Sequence, residues 1–188
     1  MRIDTSQVPQ DKLNDPRFVQ LRSEMEAVLR NPRWVRVLCA HEAAHAIYFL
    51  RAGITALTFV GTRILYDAQR DLFSGHMASV QFSAFDRDLL PRINISEWIL
   101  ATAKAHAAGG VVVLKLTDAP DTGDEEDYEE FAAFCDTICA KHPDTTIDPS
   151  GLWRLAQDAV GKDLQSPAFR IEVWKKADEI RSQLFGSP

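Results

Sequence analysis

The sequence predicts a mainly helical α+β domain with a small β-hairpin and a helical C-terminal part. Three observations carry this expectation. Apolar residues recur at helical spacing over most of the chain. The period switches to strand-like alternation only between residues 54 and 82. Asn-Pro, Gly and Asp-rich punctuation separates the segments.

Each element has a local reason. Residues 1–15 are polar and interrupted by Pro9, and are expected as a flexible N-terminal arm, leaving residues 16–188 as a single domain. Pro16 suits the first turn of a helix over residues 16–30, with Phe18, Leu21, Met25, Val28 and Leu29 on one face. Asn31-Pro32 is a stop-and-restart signal, and a second helix over residues 32–52 ends at Gly53. Residues 54–62 are rich in β-branched and aromatic side chains and read as a strand. Residues 67–74 read as a polar loop, and residues 75–82 as a second strand that pairs with the first. Ser96 caps a helix over 97–116. Thr122-Gly-Asp-Glu125 fits a capping box for a helix over 123–141. Two more helices follow, over 150–160 and 167–184.

Composition narrows the function classes. Apolar residues make up 46% of the 188 residues, enough for a core without disulfide staples. The formal net charge is −6 and the basic residues are scattered, so no nucleic-acid partner is expected. The three Cys (Cys39, Cys135, Cys139) form no framework spacing and are expected as reduced core thiols in a cytoplasmic protein. His, Lys or Arg interrupts the longest apolar segments, so no membrane span is expected.

The segment with chemistry is Cys39-Ala-His41-Glu42-Ala-Ala-His45-Ala. Residues four apart on a helix share a face, so His41 and His45 can point ring nitrogens at one ion. In this zincin pattern Glu42 is aimed at the ion's water as a general base rather than at the ion. On an otherwise apolar helix these groups would be buried, and buried polar groups need partners. The metzincin extension would require Gly at 48 and His at 51, where the chain has Tyr48 and Arg51. A third ligand must therefore come from elsewhere, with His76, His106 and the acidic residues between Asp118 and Glu130 as candidates.

The zinc helix and the strand pair after it resemble the peptidase domain of the FtsH-type ATP-dependent zinc proteases, which carry His-Glu-Ala-Gly-His-Ala there. That family continues with Ala-Gly-Gly-Arg-Ala-Ala-Glu-Glu and then Thr-Thr-Gly-Ala-x-Asn-Asp-Leu. This chain has Ala107-Ala-Gly109-Gly110-Val-Val-Val-Leu114-Lys115 and then Asp121-Thr122-Gly123-Asp-Glu-Glu126-Asp127-Tyr128. The resemblance spans about residues 32–140 and implies a zincin-like fold, a zinc ion, and Asp127 as the third ligand. Helical spacing agrees with that role. Asp127 falls on the apolar stripe of Phe131, Phe134 and Ile138, whereas Asp124 and Glu130 fall at its edges and are expected to be solvated. The chain departs from the family at Ala44, Val111, Leu114 and Lys115, and it contains no Gly-x-x-x-x-Gly-Lys-Ser/Thr nucleotide-binding loop. The expected function is zinc-dependent peptide hydrolysis of peptide or unfolded-protein substrates, with a separate ATPase partner or homo-oligomer left open. A zinc-binding regulatory domain without turnover is the alternative.

Overall fold

The computed structural model describes residues 3–82, 94–119 and 124–186. The described chain is mainly helical, with six α-helices and four short strands: α1 Pro16–Arg30, α2 Pro32–Arg51, β1 Leu57–Val60, β2 Arg63–Asp67, β3 Leu72–His76, β4 Ser79–Phe82, α3 Ile95–Leu116, α4 Asp124–Lys141, α5 Pro149–Asp163 and α6 Pro167–Phe185.

The helix ends follow local chemistry. Asp15 caps α1 by accepting from the Arg17 amide, and Asn31 caps α2 by accepting from the Arg33 amide, with Pro16 and Pro32 at the first helical positions. Gly53 takes the left-handed conformation (φ 86°) beyond α2, and Ile54 N–H returns to the Phe49 carbonyl at 2.9 Å. Asn94, rather than Ser96, caps α3, accepting from the Ser96 amide at 2.9 Å, so this helix starts at Ile95. The capping box expected at Thr122 lies outside the described residues.

α3 is the central element. It packs on α2, α5 and α4, while α2 also packs on α6. Two cores meet along it. One joins Ala43, Ala44 and Ile47 of α2 to Ala105, Ala108 and Val112 of α3 and Val173 of α6. The other joins Ala103 and Ala107 of α3 to Phe131 and Cys135 of α4 and to Trp153 of α5. Small residues on both α2 and α3 let their axes approach closely. By length and composition α3 could cross a membrane, but 67% of its most apolar window is buried inside the fold.

The strand region is richer than the single long-looped hairpin expected. β1 and β4 do pair antiparallel, with Phe59 opposite Val80. Inside that loop, β2 and β3 form a second antiparallel pair, with Ile64 opposite Gly75. The segment read as a polar loop hides strand residues because only one face of this hairpin is apolar. Ile64 and Phe73 pack against Phe18 and Met25 of α1. Gly75 lets that packing close up, because a Cβ at 75 would stand 2.7 Å from the Met25 sulfur and push that side chain aside.

The N-terminal segment is not a free arm. Asp4 bridges Arg63 in parallel, through Asp4 N–H to the Thr62 carbonyl and Ile64 N–H to the Asp4 carbonyl, both at 2.9 Å. Ile3 and Val8 are buried against Phe18, Met25 and Ile64. Burial of two aliphatic side chains, about 1.5–3 kcal/mol each, holds a segment whose composition alone suggests mobility. The three Cys are free, and burial pushes the thiols of Cys39 and Cys135 up, to about 12 and about 11.

Candidate metal centre

The buried middle of α2 carries His41, Glu42 and His45. As their spacing predicts, the two His rings lie side by side, with centroids 4.5 Å apart. α4 brings Asp127 to them. Its Oδ2 lies 3.2 Å from His41 Nε2 and 3.3 Å from His45 Nε2. One ligand atom from each residue falls within 4.8 Å of the other two, a group that could hold a metal ion.

Three observations test whether an ion fits. First, Asp127 Oδ2 is buried and no well-formed hydrogen bond reaches it among the described residues, its nearest polar neighbours being the two ring nitrogens. Such an orphaned carboxylate oxygen is costly unless a cation answers it. Second, His45 Nδ1 lies 2.7 Å from the Ala105 carbonyl. A carbonyl only accepts, so Nδ1 carries a proton, and Nε2 is the nitrogen that faces Asp127, as a donor when the ring is protonated and as a lone pair when it is neutral. Third, α3 presents bare backbone at Gly109. A Cβ there would meet His45 Nε2 at 2.4 Å and His41 Nε2 at 2.5 Å. The two nitrogens and the carboxylate oxygen thus share a space that any side chain at 109 would fill. The residues fit a divalent ion with an N₂O donor set.

Electrostatics agree with the geometry. Burial opposes the charge on His45, but Asp127 outweighs it and the imidazole is pushed up to about 9. Burial likewise opposes ionisation of Asp127, yet His45 and His41 hold it well below the usual carboxylate range. A proton on His45 thus occupies the place of an ion. Glu42 differs from Asp127. Burial raises it, against the pull of His45 and His41, and its Oε2 accepts the Val80 amide of β4 at 2.7 Å. That bond aligns the carboxylate beside the His pair without adding it to the ligand group.

The other candidates stand apart from this group. His76 Nδ1 is 3.9 Å from Glu126 Oε1, and His106 Nδ1 is 3.9 Å from Glu130 Oε2. Burial, then the charge of His45, drives His106 down to about 4. Glu126 and Glu130 have largely exposed side chains. Asp121 lies outside the described residues. Asp124 is half-buried instead of solvated, because its Cβ fits against Gly110, where an added Cβ would approach it to 2.6 Å.

The group opens onto a cleft of about 660 Å³, with α2 and α4 on one side and residues 75–81 of the strand region on the other. Sequence reasoning missed the roles of Gly109 and the Val80 amide. Two adjacent Gly inside a helix, each costing about 1 kcal/mol of helix propensity, were the available sign of a close approach. Compared with protein-family models, curated proteins and solved structures, the chain matches none.

Proposed function

We propose that the chain is a zinc-dependent peptidase of zincin type, with His41, His45 and Asp127 as metal ligands and Glu42 as the general base. The observation that carries this reading is the convergence of two Nε2 atoms and an orphaned carboxylate oxygen beside a separately held glutamate, open to a peptide-sized cleft. A bound zinc ion would supply Lewis acidity, lowering the pKa of water to about 7 and polarising a carbonyl.

The chain's own residues account for the rest. The Ala105 carbonyl holds the His45 ring in its ligating tautomer. Asp127 supplies one negative charge, which leaves a site of net positive charge once a divalent ion binds. Glu42, raised by burial, is a stronger base than an exposed carboxylate. It takes a proton from water at Oε1 or Oε2 and can pass it to the departing amine. The Val80 amide keeps the carboxylate from swinging onto the ligand group. Two His and a carboxylate also suit iron(II). The adjacent buried base favours hydrolysis and therefore zinc.

A second reading keeps the ion without turnover. It is favoured by Val111, Leu114 and Lys115, which stand where the resembled family carries one Arg and a pair of Glu. One experiment separates the readings: elemental analysis of untreated protein, with peptide hydrolysis assayed for the parent and Glu42→Gln. The peptidase reading expects about one zinc per chain in both, and hydrolysis lost by about 10²–10⁴-fold in the variant. Zinc without hydrolysis in the parent supports the second reading, and absence of any transition metal refutes both.

A further inference from the structure

Arg63 begins β2 and lines the same cleft as Glu42 and the His pair. Strand alternation decides its direction. Ile64 beside it is fully buried against α1, so Arg63 turns to the opposite face of the β2–β3 hairpin. His76, its partner across the ladder, shares that face and also lines the cleft. Among the described residues that line the cleft, Arg63 is the only Lys or Arg.

One of its donors is also unanswered. Among the described residues, the Nε of this half-buried side chain is buried with no hydrogen-bond partner. A donor is not left this way without cost, since an unpaired buried N–H loses its water and gains nothing, while the remaining donors of the guanidinium can face the cleft. The carboxylates that line the cleft are placed elsewhere. Glu42 accepts the Val80 amide, Asp127 faces the His pair, Glu130 stands near His106, and Glu126 stands near His76, the ladder partner of Arg63. Among the described residues, the cleft therefore has an acidic wall on α4 and one Arg, Arg63, on the hairpin. An anionic group entering it is repelled by the first and drawn to the second.

We infer that Arg63 is a carboxylate-binding residue of the substrate cleft, taking either a peptide's C-terminal carboxylate or an Asp or Glu side chain. For the word substrate this rests on the peptidase reading; the binding itself does not. Guanidinium and carboxylate match as a planar fork, so the contact selects both charge and orientation. It would set which way a peptide lies between the hairpin and α4.

The test is calorimetry on the full chain carrying Glu42→Gln, so that no probe is hydrolysed. The probes are acetyl-Leu-Leu-Leu with a free carboxylate, the same peptide as its amide, and acetyl-Leu-Glu-Leu amide. At least one carboxylate probe is expected to bind about 10–100-fold tighter than the neutral amide. Which one does so identifies the terminus or the side chain as the source. Adding Arg63→Gln should erase the preference, and Arg63→Lys should keep only part of it. The series is repeated after metal removal, because a carboxylate could also ligate the ion. A preference that persists without metal and vanishes in Arg63→Gln supports the assignment even if the protein hydrolyses nothing. No preference for either carboxylate, or a preference unchanged in both Arg63 variants, overturns it while leaving the peptidase reading intact.

Discussion

Gly109→Ala is expected to weaken zinc binding at the proposed site while leaving the helical fold in place. The added Cβ would stand 2.4 Å from His45 Nε2, 2.5 Å from His41 Nε2 and 2.6 Å from His41 Cε1. Ordinary contact between such atoms is about 3.5 Å, so the overlap is about 1 Å. His45 cannot yield easily, being buried and held to the Ala105 carbonyl at 2.7 Å. Either His41 swings out or α3 moves away from α2, and both separate the nitrogens from Asp127. Overpacking of this kind costs about 1–3 kcal/mol. Placed on the metal-bound arrangement, that is a loss of about 5–150-fold in zinc affinity. Alanine also regains about 1 kcal/mol of helix propensity, which offsets part of the strain in the metal-free fold. The assay is competition against a chromophoric chelator, with helicity followed by circular dichroism. Gly161→Ala on α5 is the control, because nothing lies within 4 Å of a Cβ there. It should keep parent zinc affinity. If Gly109→Ala also binds zinc like the parent, the two nitrogens do not converge beneath Gly109 and the site is wrongly described.

Two further outcomes follow from the same geometry. Zinc affinity should fall by at least tenfold in Asp127→Asn and stay within a few-fold of the parent in Glu126→Gln and His106→Asn. The reverse order, measured side by side, would reassign the third ligand. Proton competition at His45 sets the pH dependence. With its value pushed up to about 9, a proton must leave Nε2 before an ion can bind. Zinc affinity should therefore climb with pH up to about 9, by as much as about tenfold per unit, and binding near pH 7 should release protons. The same shift stabilises the metal-free fold fully below the unfolded value of about 6.5, and that contribution disappears as pH rises towards 9. Calorimetry in buffers of different ionisation enthalpy checks the release; a pH-independent affinity would mean His45 is not a ligand.

The amino-acid sequence by itself determined the elements with strong local reasons. Asn31-Pro32 and Gly53 delimit α2, and the four-residue spacing within it puts His41 and His45 side by side. The stripe of Phe131, Phe134 and Ile138 turns Asp127 inward before any partner is known. Local patterns carry such features because capping and helical periodicity act within a turn or two. Tertiary structure decided the rest. Sequence left His76, His106 and the acidic run open as partners, and only the packing of α3 between α2 and α4 places Asp127 within 3.3 Å of both rings. The β2–β3 hairpin and the docked N-terminal segment escaped a local reading because their apolar faces are complete only against α1. Nor could spacing show that the Val80 amide holds Glu42, or that Arg63 shares the cleft: β4 meets α2, and the hairpin meets α1, through contacts between segments distant in sequence, whose energetics no short window contains.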